Sequence, residues 1–450
     1  MKNIILSLLF ALVLIGCCQA QTNTNYIAIL LPSPSGVTDC IAEDINDNGM
    51  IVGGYSDGSG FSHLVVWTNC LAMAATEINP PPGYQFTALS GHDTPTLDGN
   101  GNIACFVSSG TNNNNSNISA NPLYPCFIKW DSSSNTWSSS ILYTNYLDYN
   151  DYLVISPLGK LIASLYGDNQ IISWDSPSSP PVFSMPTSML YSPNTVYSDV
   201  FFADDLNHAI GDCSTNNSAS YQGAIWDLTK TNSPPTLLPY LSGYSDNQAH
   251  SMNHNGWIVG WANGNQTITP RPILWTNTSD LPVALKIPSS AKFGVVFSVN
   301  DSNQIVGIES NGNQMCALIY SGTNMAFLPI KSGYTQSAAV KINAHGFIAG
   351  AIVTSNNQSK GCVWAPIATP TVTFTQPTTP VVYAAGKTFS LSATSTSGGT
   401  ITYSSSNTNV VSVSGSTATI KGVGTATLTA TVAATANFTS ASAARNVTVR

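Results

Sequence analysis

The chain has 450 residues and a formal net charge of −8, and only 8% of its residues are charged, against roughly 25% in ordinary globular domains. With 14 Lys and Arg residues in the whole chain, we expect no nucleic-acid partner, because that function requires a basic surface. Asn, Ser, Thr and Gly largely replace the charged helix formers. The composition therefore favours an all-β fold with polar loops, and the length suggests two or three domains.

Residues 1–20 have the pattern of an export signal. Lys2 precedes an apolar segment, 4–15, that is too short to span a bilayer. Two processing sites compete: the lipobox-like LIGC ending at Cys17 would attach a lipid there, whereas CQA at 18–20 would release the protein. We therefore predict an extracellular or envelope location, with a lipid anchor as the only membrane attachment.

One short motif recurs seven times between residues 26 and 364 and organises this part of the chain. Its first copy reads INDNGMIVGG, residues 45–54. The turn position is Gly or Asn, as a tight hairpin with positive φ requires, and the last position is always small, which indicates close backbone approach. These small residues are Gly53, Cys105, Ala163, Gly211, Gly260, Gly307 and Gly350.

Each copy is followed by a strand that ends in Trp or Tyr, such as Trp67 or Tyr320, and in most copies by an apolar run that ends in Pro. Four strands per repeat, at spacings of 43 to 58 residues, predict a seven-bladed β-propeller. The orphan segment Tyr26–Leu31 is expected to pair with Cys362–Trp364 and close the ring, which removes the open sheet edges.

These repeats resemble the HAF family of extracellular repeats, whose pattern is an Ile-Asn-x-x-Gly-x-Ile-Val-Gly strand followed by a strand that ends in Trp. The resemblance is clearest in the first, fifth, sixth and seventh copies. It implies an exported protein and supplies no catalytic residues.

Residues 365–370 form a Pro-containing linker, after which the sequence changes character. Segment 371–450 lacks Cys and alternates apolar and polar residues in short strands separated by Gly turns, a pattern typical of a β-sandwich. The runs TYSSSN at 402–407, VVSV at 410–413 and GVGTATLTA at 422–430 resemble bacterial immunoglobulin-like domains of the invasin and intimin type. The resemblance implies a spacer or adhesion module.

The loops between the second and third strands of each blade vary most in length, so we expect the binding surface on their face of the propeller. The longest is 108–124. Aromatic side chains beside Asn and Asp suit sugar rings, although ordinary packing between blades explains any single one of them better. The candidates on this face are Tyr55, Tyr166, Tyr221, Trp261 and the single propeller arginine, Arg271.

A second group of polar residues precedes the motif on the innermost strands, where it would line the mouth of the channel. It includes Glu43, Asp205 and His250, together with Asp44, Asp204 and Lys341. Such a set would suit a glycosidase or lyase, but most of these residues are also explained as turn and edge residues. We therefore name no catalytic residue and leave enzyme activity open.

No metal or cofactor is expected. The Asn46–Gly49 turn resembles part of a calcium loop, but His254, Ala344 and Pro157 in other copies cannot supply oxygen ligands, so turn formation explains it better. His208, His254 and His345 are read as exposed turn residues. Cys105 and Cys126, on neighbouring strands, are a candidate disulfide, and the alternative is that both are small buried apolar residues.

These patterns predict a monomeric, non-catalytic binding or adhesion protein whose propeller contacts an extracellular glycan or a surface protein. The alternative is a propeller enzyme acting on extracellular polysaccharide.

Overall fold

In a computed structural model of the chain, all regular structure among the described residues is β. The described residues contain no helix, and so none that could cross a membrane. Residues Ala28–Trp364 form one compact unit, the propeller unit, and Ala365–Arg450 belong to another, the C-terminal unit. The structure describes residues 23, 25–57, 62–70, 74–87, 94–109, 123–142, 152–165, 170–176, 182–183, 198–214, 220–230, 233–263, 269–375, 380–435 and 438–450.

The first 29 strands build the propeller unit. They are β1 (Tyr26–Leu30), β2 (Ile41–Ile45), β3 (Ile51–Ser56), β4 (Ser62–Trp67), β5 (Ala75–Ile78), β6 (Gln85–Phe86), β7 (Thr96–Leu97), β8 (Ile103–Ser108), β9 (Leu123–Asp131), β10 (Thr136–Ile141), β11 (Tyr152–Ile155), β12 (Leu161–Leu165), β13 (Gln170–Trp174), β14 (Val182–Phe183), β15 (Ser198–Ala203), β16 (His208–Ser214), β17 (Tyr221–Asp227), β18 (Thr236–Leu237), β19 (Asp246–Met252), β20 (Ile258–Asn263), β21 (Arg271–Trp275), β22 (Val283–Ala284), β23 (Phe293–Val299), β24 (Gln304–Ser310), β25 (Met315–Ser321), β26 (Asn324–Phe327), β27 (Tyr334–Ile342), β28 (Ile348–Thr354) and β29 (Ser359–Pro366).

Consecutive strands pair as antiparallel meanders. Four sheets, β11–β14, β15–β18, β19–β22 and β23–β26, each contain four strands in sequence order. A nine-stranded sheet contains β2–β5 and β7–β10, joined through β6. The last sheet has the order β1-β29-β28-β27, so the N-terminal strand β1 completes it. The predicted pairing of the orphan segment with the last strands is confirmed.

The sheets form a closed ring. Their innermost strands are in contact from β11 to β15, β19, β23 and β27, and β27 contacts β2 of the first sheet. On the other side, β2 contacts β7 and β7 contacts β11. This arrangement is a β-propeller, and the predicted all-β fold is confirmed.

A β-bulge explains why the last motif position is small. In five sheets the innermost strand carries one extra residue immediately after the partner of the motif glycine; in β19, for example, Ala249 faces Gly260 and Ser251 faces Val259. The carbonyl before this bulge points at the glycine, and a Cβ on Gly260 would lie 1.8 Å from the oxygen of Gln248. The pairing of β11 with β12 has no such bulge. At the equivalent motif position of that sheet, the chain therefore accommodates the side chain of Ala163.

In four repeats the aromatic residue reaches back to the preceding sheet. Trp67, Trp275 and Trp364 are fully buried. Their Nε1 atoms donate hydrogen bonds of 2.7 to 2.9 Å to the carbonyl oxygens of Pro32, Pro239 and Pro329 respectively. The Tyr320 hydroxyl makes the same kind of bond to Lys286 O at 2.8 Å. The prolines that end the apolar runs are thus acceptors for these bonds, which pin each sheet to its neighbour.

The C-terminal unit has a separate apolar core that contains Leu391, Val411, Leu428 and Val447. Its sheets are antiparallel, with orders β30-β32, β31-β35-β34 and β33-β36-β37. The strands are β30 (Val372–Phe374), β31 (Thr388–Ser390), β32 (Ala393–Ser395), β33 (Ile401–Ser405), β34 (Val411–Ser414), β35 (Thr417–Ile420), β36 (Gly424–Val432) and β37 (Ala441–Val449).

Candidate functional site

The motif residue at the end of each innermost strand caps the hairpin that follows. In each case a side-chain oxygen accepts a hydrogen bond from the main-chain N–H four residues later, which fixes the turn that the Gly or Asn of the motif completes. The capping residues are Asn46, Asp98, Ser156, Asp204, Asn253, Asn300 and Asn343.

The asparagine caps also link neighbouring sheets, because an amide donates as well as accepts. Asn253 Nδ2 donates to the main-chain oxygen of Asn300 at 2.9 Å, and Asn300 donates to Asn343 at 3.0 Å. Asn343 donates to Asn46 at 3.0 Å and Asn46 to Asp98 at 2.9 Å, so the chain of bonds crosses the point of ring closure. These turns form a rigid collar around the propeller axis.

Inside this collar lies a cavity of about 160 Å³, which we call the axial mouth. Six aspartates line it, against two basic residues, Lys341 and His254. A cavity with one predominant sign of charge concentrates its field and attracts ions of the opposite sign. The six are Asp44, Asp47, Asp98, Asp204, Asp205 and Asp301.

His254 bridges the rim of the axial mouth. Its Nδ1 lies 2.7 Å from Asp301 Oδ2, and its Nε2 lies 2.6 Å from Asp205 Oδ1. Hydrogen bonds to Asp301 and then to Asp205 raise the pKa of His254 to about 9, against the effect of partial burial. The imidazole is therefore charged at neutral pH and ties together turns from three successive sheets.

Asp44 and Lys341 face each other deeper in the axial mouth. The Lys341 Nζ lies 3.8 Å from Asp44 Oδ1 and 4.6 Å from the centre of the Phe202 ring. Burial raises the pKa of Asp44, while Lys341 and the N–H groups of Leu97 and Ile45 oppose the shift. The ammonium group of Lys341 thus occupies part of the acidic cavity.

The extra residues of the five bulges are Glu43, Phe201, His250, Phe297 and Val340, and each is partly exposed. Three of them are in aromatic contact: the His250 ring stacks on Phe201 with 4.4 Å between centroids and meets Phe297 edge to face at 6.0 Å. Bulges commonly redirect side chains toward sites. Burial, and then the charge of Asp44, raise the pKa of Glu43 to about 8, so its carboxyl is largely protonated at neutral pH.

The expected role of Trp261 as an exposed platform is wrong. Only 8% of its surface is exposed. Its ring stacks on His250 at 4.1 Å and packs against Phe297 at 6.0 Å. The large side chain fills space beside the bulge residues, and is therefore explained by packing.

Tyr55 belongs to a different cluster, at the end of β3. Its ring stacks on His63 at 4.5 Å, and its hydroxyl donates to Glu77 at 3.1 Å. His63 also contacts Glu77 at 2.7 Å and Asp57 at 3.2 Å. One face of Tyr55 is covered by His63, which leaves less of the ring for a sugar.

The remaining sequence candidates do not converge on one site. Tyr221 and Arg271 begin β17 and β21 and are partly exposed; neither lines the axial mouth. Asp205 does line it, as expected. Tyr166, the loop 110–122 and Cys17 lie outside the described residues.

The sequence did not single out Asp301, which shares His254 with Asp205. A sequence pattern could have indicated it. The residue that follows each capping residue lines the axial mouth, and in four of the seven copies this residue is ionisable: Asp47, Asp205, His254 and Asp301. His254 is the exposed turn residue that the sequence predicted, but its two carboxylate partners were not predicted.

The expected calcium-like turn is a hairpin in which Gly49 has a φ of +78°. In the described part of the chain, no three His, Cys, Asp or Glu side chains are grouped so as to hold a metal ion.

Cys105 and Cys126 face each other across β8 and β9, but no disulfide joins them, and both are buried. The other interpretation offered by the sequence, that both are small buried apolar residues, fits the structure: the thiols fill small positions in an apolar core that contains Val107 and Ile128.

No protein-family model matches the sequence, and no curated protein matches it. Among solved structures, a fungal alcohol oxidase of the AA5 family in complex with copper has a TM-score of 0.50 at 12% identity, covering 94% of this chain and 98% of that one. At this identity the likeness shows the fold alone.

Two further structures have lower scores. The RRP9 WD40 repeats have a TM-score of 0.47 at 10% identity, covering 77% of this chain and 99% of that one. The β-propeller domain of the Trilobed protease from Pyrococcus furiosus has a TM-score of 0.44 at 10% identity, covering 72% of this chain and 93% of that one.

Proposed function

We propose that this is an exported, non-catalytic binding protein whose axial mouth takes a cationic group of its ligand. The cationic group would be an ammonium or guanidinium, presented by a surface protein or by an amino sugar of a glycan. The observation that carries the proposal is the set of six aspartates lining one cavity of about 160 Å³ against two basic residues.

The architecture that we propose around this site is a seven-bladed propeller followed by an immunoglobulin-like domain. The strand groups β2–β5, β7–β10, β11–β14, β15–β18, β19–β22, β23–β26 and β27–β29 with β1 would be the blades. Each group supplies one capped hairpin to the collar. The separate core of the C-terminal unit supports its assignment as a spacer or second adhesion module.

Export is proposed from residues 1–20 and from the resemblance to HAF repeats. The mature protein would be secreted, or held at a bacterial envelope by a lipid on Cys17. No cofactor is proposed, and we expect a monomer.

We choose a cationic group because carboxylates of the axial mouth are accessible to a ligand. Asp301 and Asp205 reach the rim with side chains that are 47% and 31% exposed, so a ligand can approach both. Asp44 lies deeper, and its nearest cation is 3.8 Å away, longer than a charge-assisted hydrogen bond. A ligand ammonium entering the mouth would therefore find acceptors at two depths.

The test compares matched probes on the mature chain, residues 21–450, by calorimetric titration. Tetralysine and the fully deacetylated tetramer of glucosamine carry ammonium groups, and their N-acetylated forms are the controls. We expect the charged probes to bind with an affinity that falls as salt rises, and the acetylated probes not to bind. Which charged probe binds more tightly distinguishes a protein partner from a glycan.

Variants locate the site. Asp205→Asn with Asp301→Asn should weaken binding of the charged probe at least tenfold, whereas Lys341→Met should strengthen it, because a competing cation is removed. Equal binding of acetylated and free probes, or unchanged affinity in the double variant, would count against the proposal.

The enzyme alternative rests on Glu43, whose pKa of about 8 would let it act as a general acid at neutral pH. It predicts release of reducing sugars from an extracellular polysaccharide by the wild-type protein and loss of that activity in Glu43→Gln. Absence of turnover on a polysaccharide that binds would exclude this alternative for that substrate.

A further inference from the structure

Charge is distributed unequally along the chain. Residues 365–450 contain no Asp or Glu, and their charged residues are Lys387, Lys421, Arg445 and Arg450, although the whole chain has a net charge of −8. The C-terminal unit is therefore cationic, whereas the rest of the chain is strongly acidic. Such an asymmetry indicates that the two parts meet different partners.

Most of this positive charge lies at one end of the C-terminal unit. Ile420 N donates to Lys387 O at 2.9 Å, and Gly386 N donates to Ile420 O at 3.0 Å, so Lys387 and Lys421 belong to adjacent backbone segments. At the same end, Gly424 pairs with Val449, and Tyr383 N donates to Arg450 O at 2.8 Å. Three separate stretches of the chain thus meet here.

The same end exposes large apolar side chains. Val382 is 75% exposed, Val423 is 66% exposed and Tyr383 is 43% exposed. Lys387, Lys421 and Arg450 are also exposed. We call this surface the tip patch and define it as Val382, Tyr383, Lys387, Lys421, Val423 and Arg450.

We propose that the tip patch docks the protein on a membrane surface that contains anionic phospholipids. Exposed apolar side chains on turns can enter the boundary between headgroups and acyl chains, and a Tyr is suited to that boundary because its ring is apolar and its hydroxyl is polar. The surrounding ammonium and guanidinium groups attract lipid phosphates, and residues 365–450 contain no Asp or Glu side chain to oppose them.

Charge complementarity favours this occupant over a polymer. An anionic polysaccharide would interact with Lys387 and Lys421 but would leave Val382 and Val423 in water. A membrane surface offers a partner to both kinds of side chain. The surface is also built from turns, at 381–387 and 421–424, rather than from a groove that would hold an extended chain.

The experiment uses the mature chain, residues 21–450, which lacks Cys17 and therefore any lipid anchor. Sedimentation is measured with vesicles of phosphatidylcholine containing phosphatidylglycerol, and with vesicles of phosphatidylcholine alone. We expect binding to the mixed vesicles that falls as salt rises, and little binding to the neutral ones.

Two double variants separate the components of the patch. Lys387→Gln with Lys421→Gln should reduce partitioning to mixed vesicles by about 30-fold, from the usual contribution of a basic residue near an anionic surface. Lys387→Arg with Lys421→Arg should restore it. Val382→Ser with Val423→Ser should reduce partitioning at low and high salt alike.

Controls lie on the propeller unit, where Lys230→Gln removes an exposed cation that is paired with Asp227 and Leu281→Ser removes an apolar residue that is 69% exposed. Circular dichroism verifies that each variant folds. Equal binding to neutral vesicles, no binding to either kind, or unchanged partitioning in both double variants would overturn the proposal. So would salt-dependent self-association abolished by the same variants, because the patch would then belong to a contact with the acidic mouth of a second copy.

Discussion

Asn343 donates a hydrogen bond of 3.0 Å from its side-chain amide to the main-chain oxygen of Asn46, which lies 297 residues earlier in the chain. The same asparagine accepts the N–H of Phe347 at 2.9 Å and caps its own hairpin. One buried side chain therefore fixes a local turn and joins the last sheet to the first.

This double role gives a test of the collar. Asn343→Ala removes both bonds and leaves the Phe347 N–H without its acceptor, while the Asn46 oxygen still accepts the Gly49 N–H at 3.0 Å. It should therefore lower the free energy of unfolding by about 2 kcal/mol. Asn343→Ser keeps an uncharged acceptor for the turn, as Ser156 does in its own repeat, and loses the donor, so it should cost less. Urea denaturation of both variants measures the difference; equal midpoints for Asn343→Ala and the wild type would contradict the assigned role.

The bulge predicts a strong asymmetry between two residues at the same motif position. Gly260→Ala would place a methyl group 1.8 Å from the oxygen of Gln248, so the bulge must shift, and we expect a loss of about 3 kcal/mol or more. Ala163→Gly, where no bulge is present, should cost only about 1 kcal/mol. Thermal unfolding followed by circular dichroism compares the pair, and similar losses would show that the bulge does not dictate the glycine.

Glu43 predicts a stability that depends on pH. Burial, followed by the charge of Asp44, raises its pKa to about 8. The unfolded chain therefore releases the Glu43 proton near pH 4.5 while the folded chain keeps it up to about 8. Stability attributable to this group falls as pH rises through that window.

Glu43→Gln should consequently stabilise the protein at pH 8 by roughly 1–3 kcal/mol and have little effect near pH 4.5. Chemical denaturation at the two pH values measures the gap. A gap of the same size at both values would mean that folding does not change the pKa of Glu43.

Folding also raises the pKa of His254, but here it is the charged form that the fold stabilises. Hydrogen bonds to Asp301 and Asp205 raise its pKa to about 9, so the stabilisation from its charge is complete below about pH 6.5 and is lost as pH rises through 9. Because half of the side chain is exposed, we expect His254→Gln to cost less than about 1 kcal/mol at pH 6.

The protonation state of His254 can be followed by its ring proton signals in a pH titration. A midpoint near 6.5 would show that the two carboxylates do not hold the proton. Asp301→Asn should move the midpoint down further than Asp205→Asn, since Asp301 makes the larger contribution.

The sequence alone predicted the elements that depend on local rules. Gly49 and Asn303 mark tight turns because few residues tolerate positive φ, and alternating apolar residues mark strands because one face must be buried. The orphan strand that ends at Leu30 could be assigned to the last sheet because a closed ring needs a fourth strand there.

What the sequence could not supply was the identity of neighbours across the axis. Asp205, His254 and Asp301 are separated by nearly 50 residues at each step, and only the rotation of one sheet relative to the next brings them within hydrogen-bond distance. For the same reason Trp261 could be read as exposed, although the bulge at His250 covers its ring.

The division has one physical reason. Turns, strands and caps are decided by interactions within a few residues, which the sequence states directly. The acidic mouth, the aromatic stack and the tip patch are decided by the geometry of closure and by which turns meet at one end of a unit, and that geometry exists only in the folded chain.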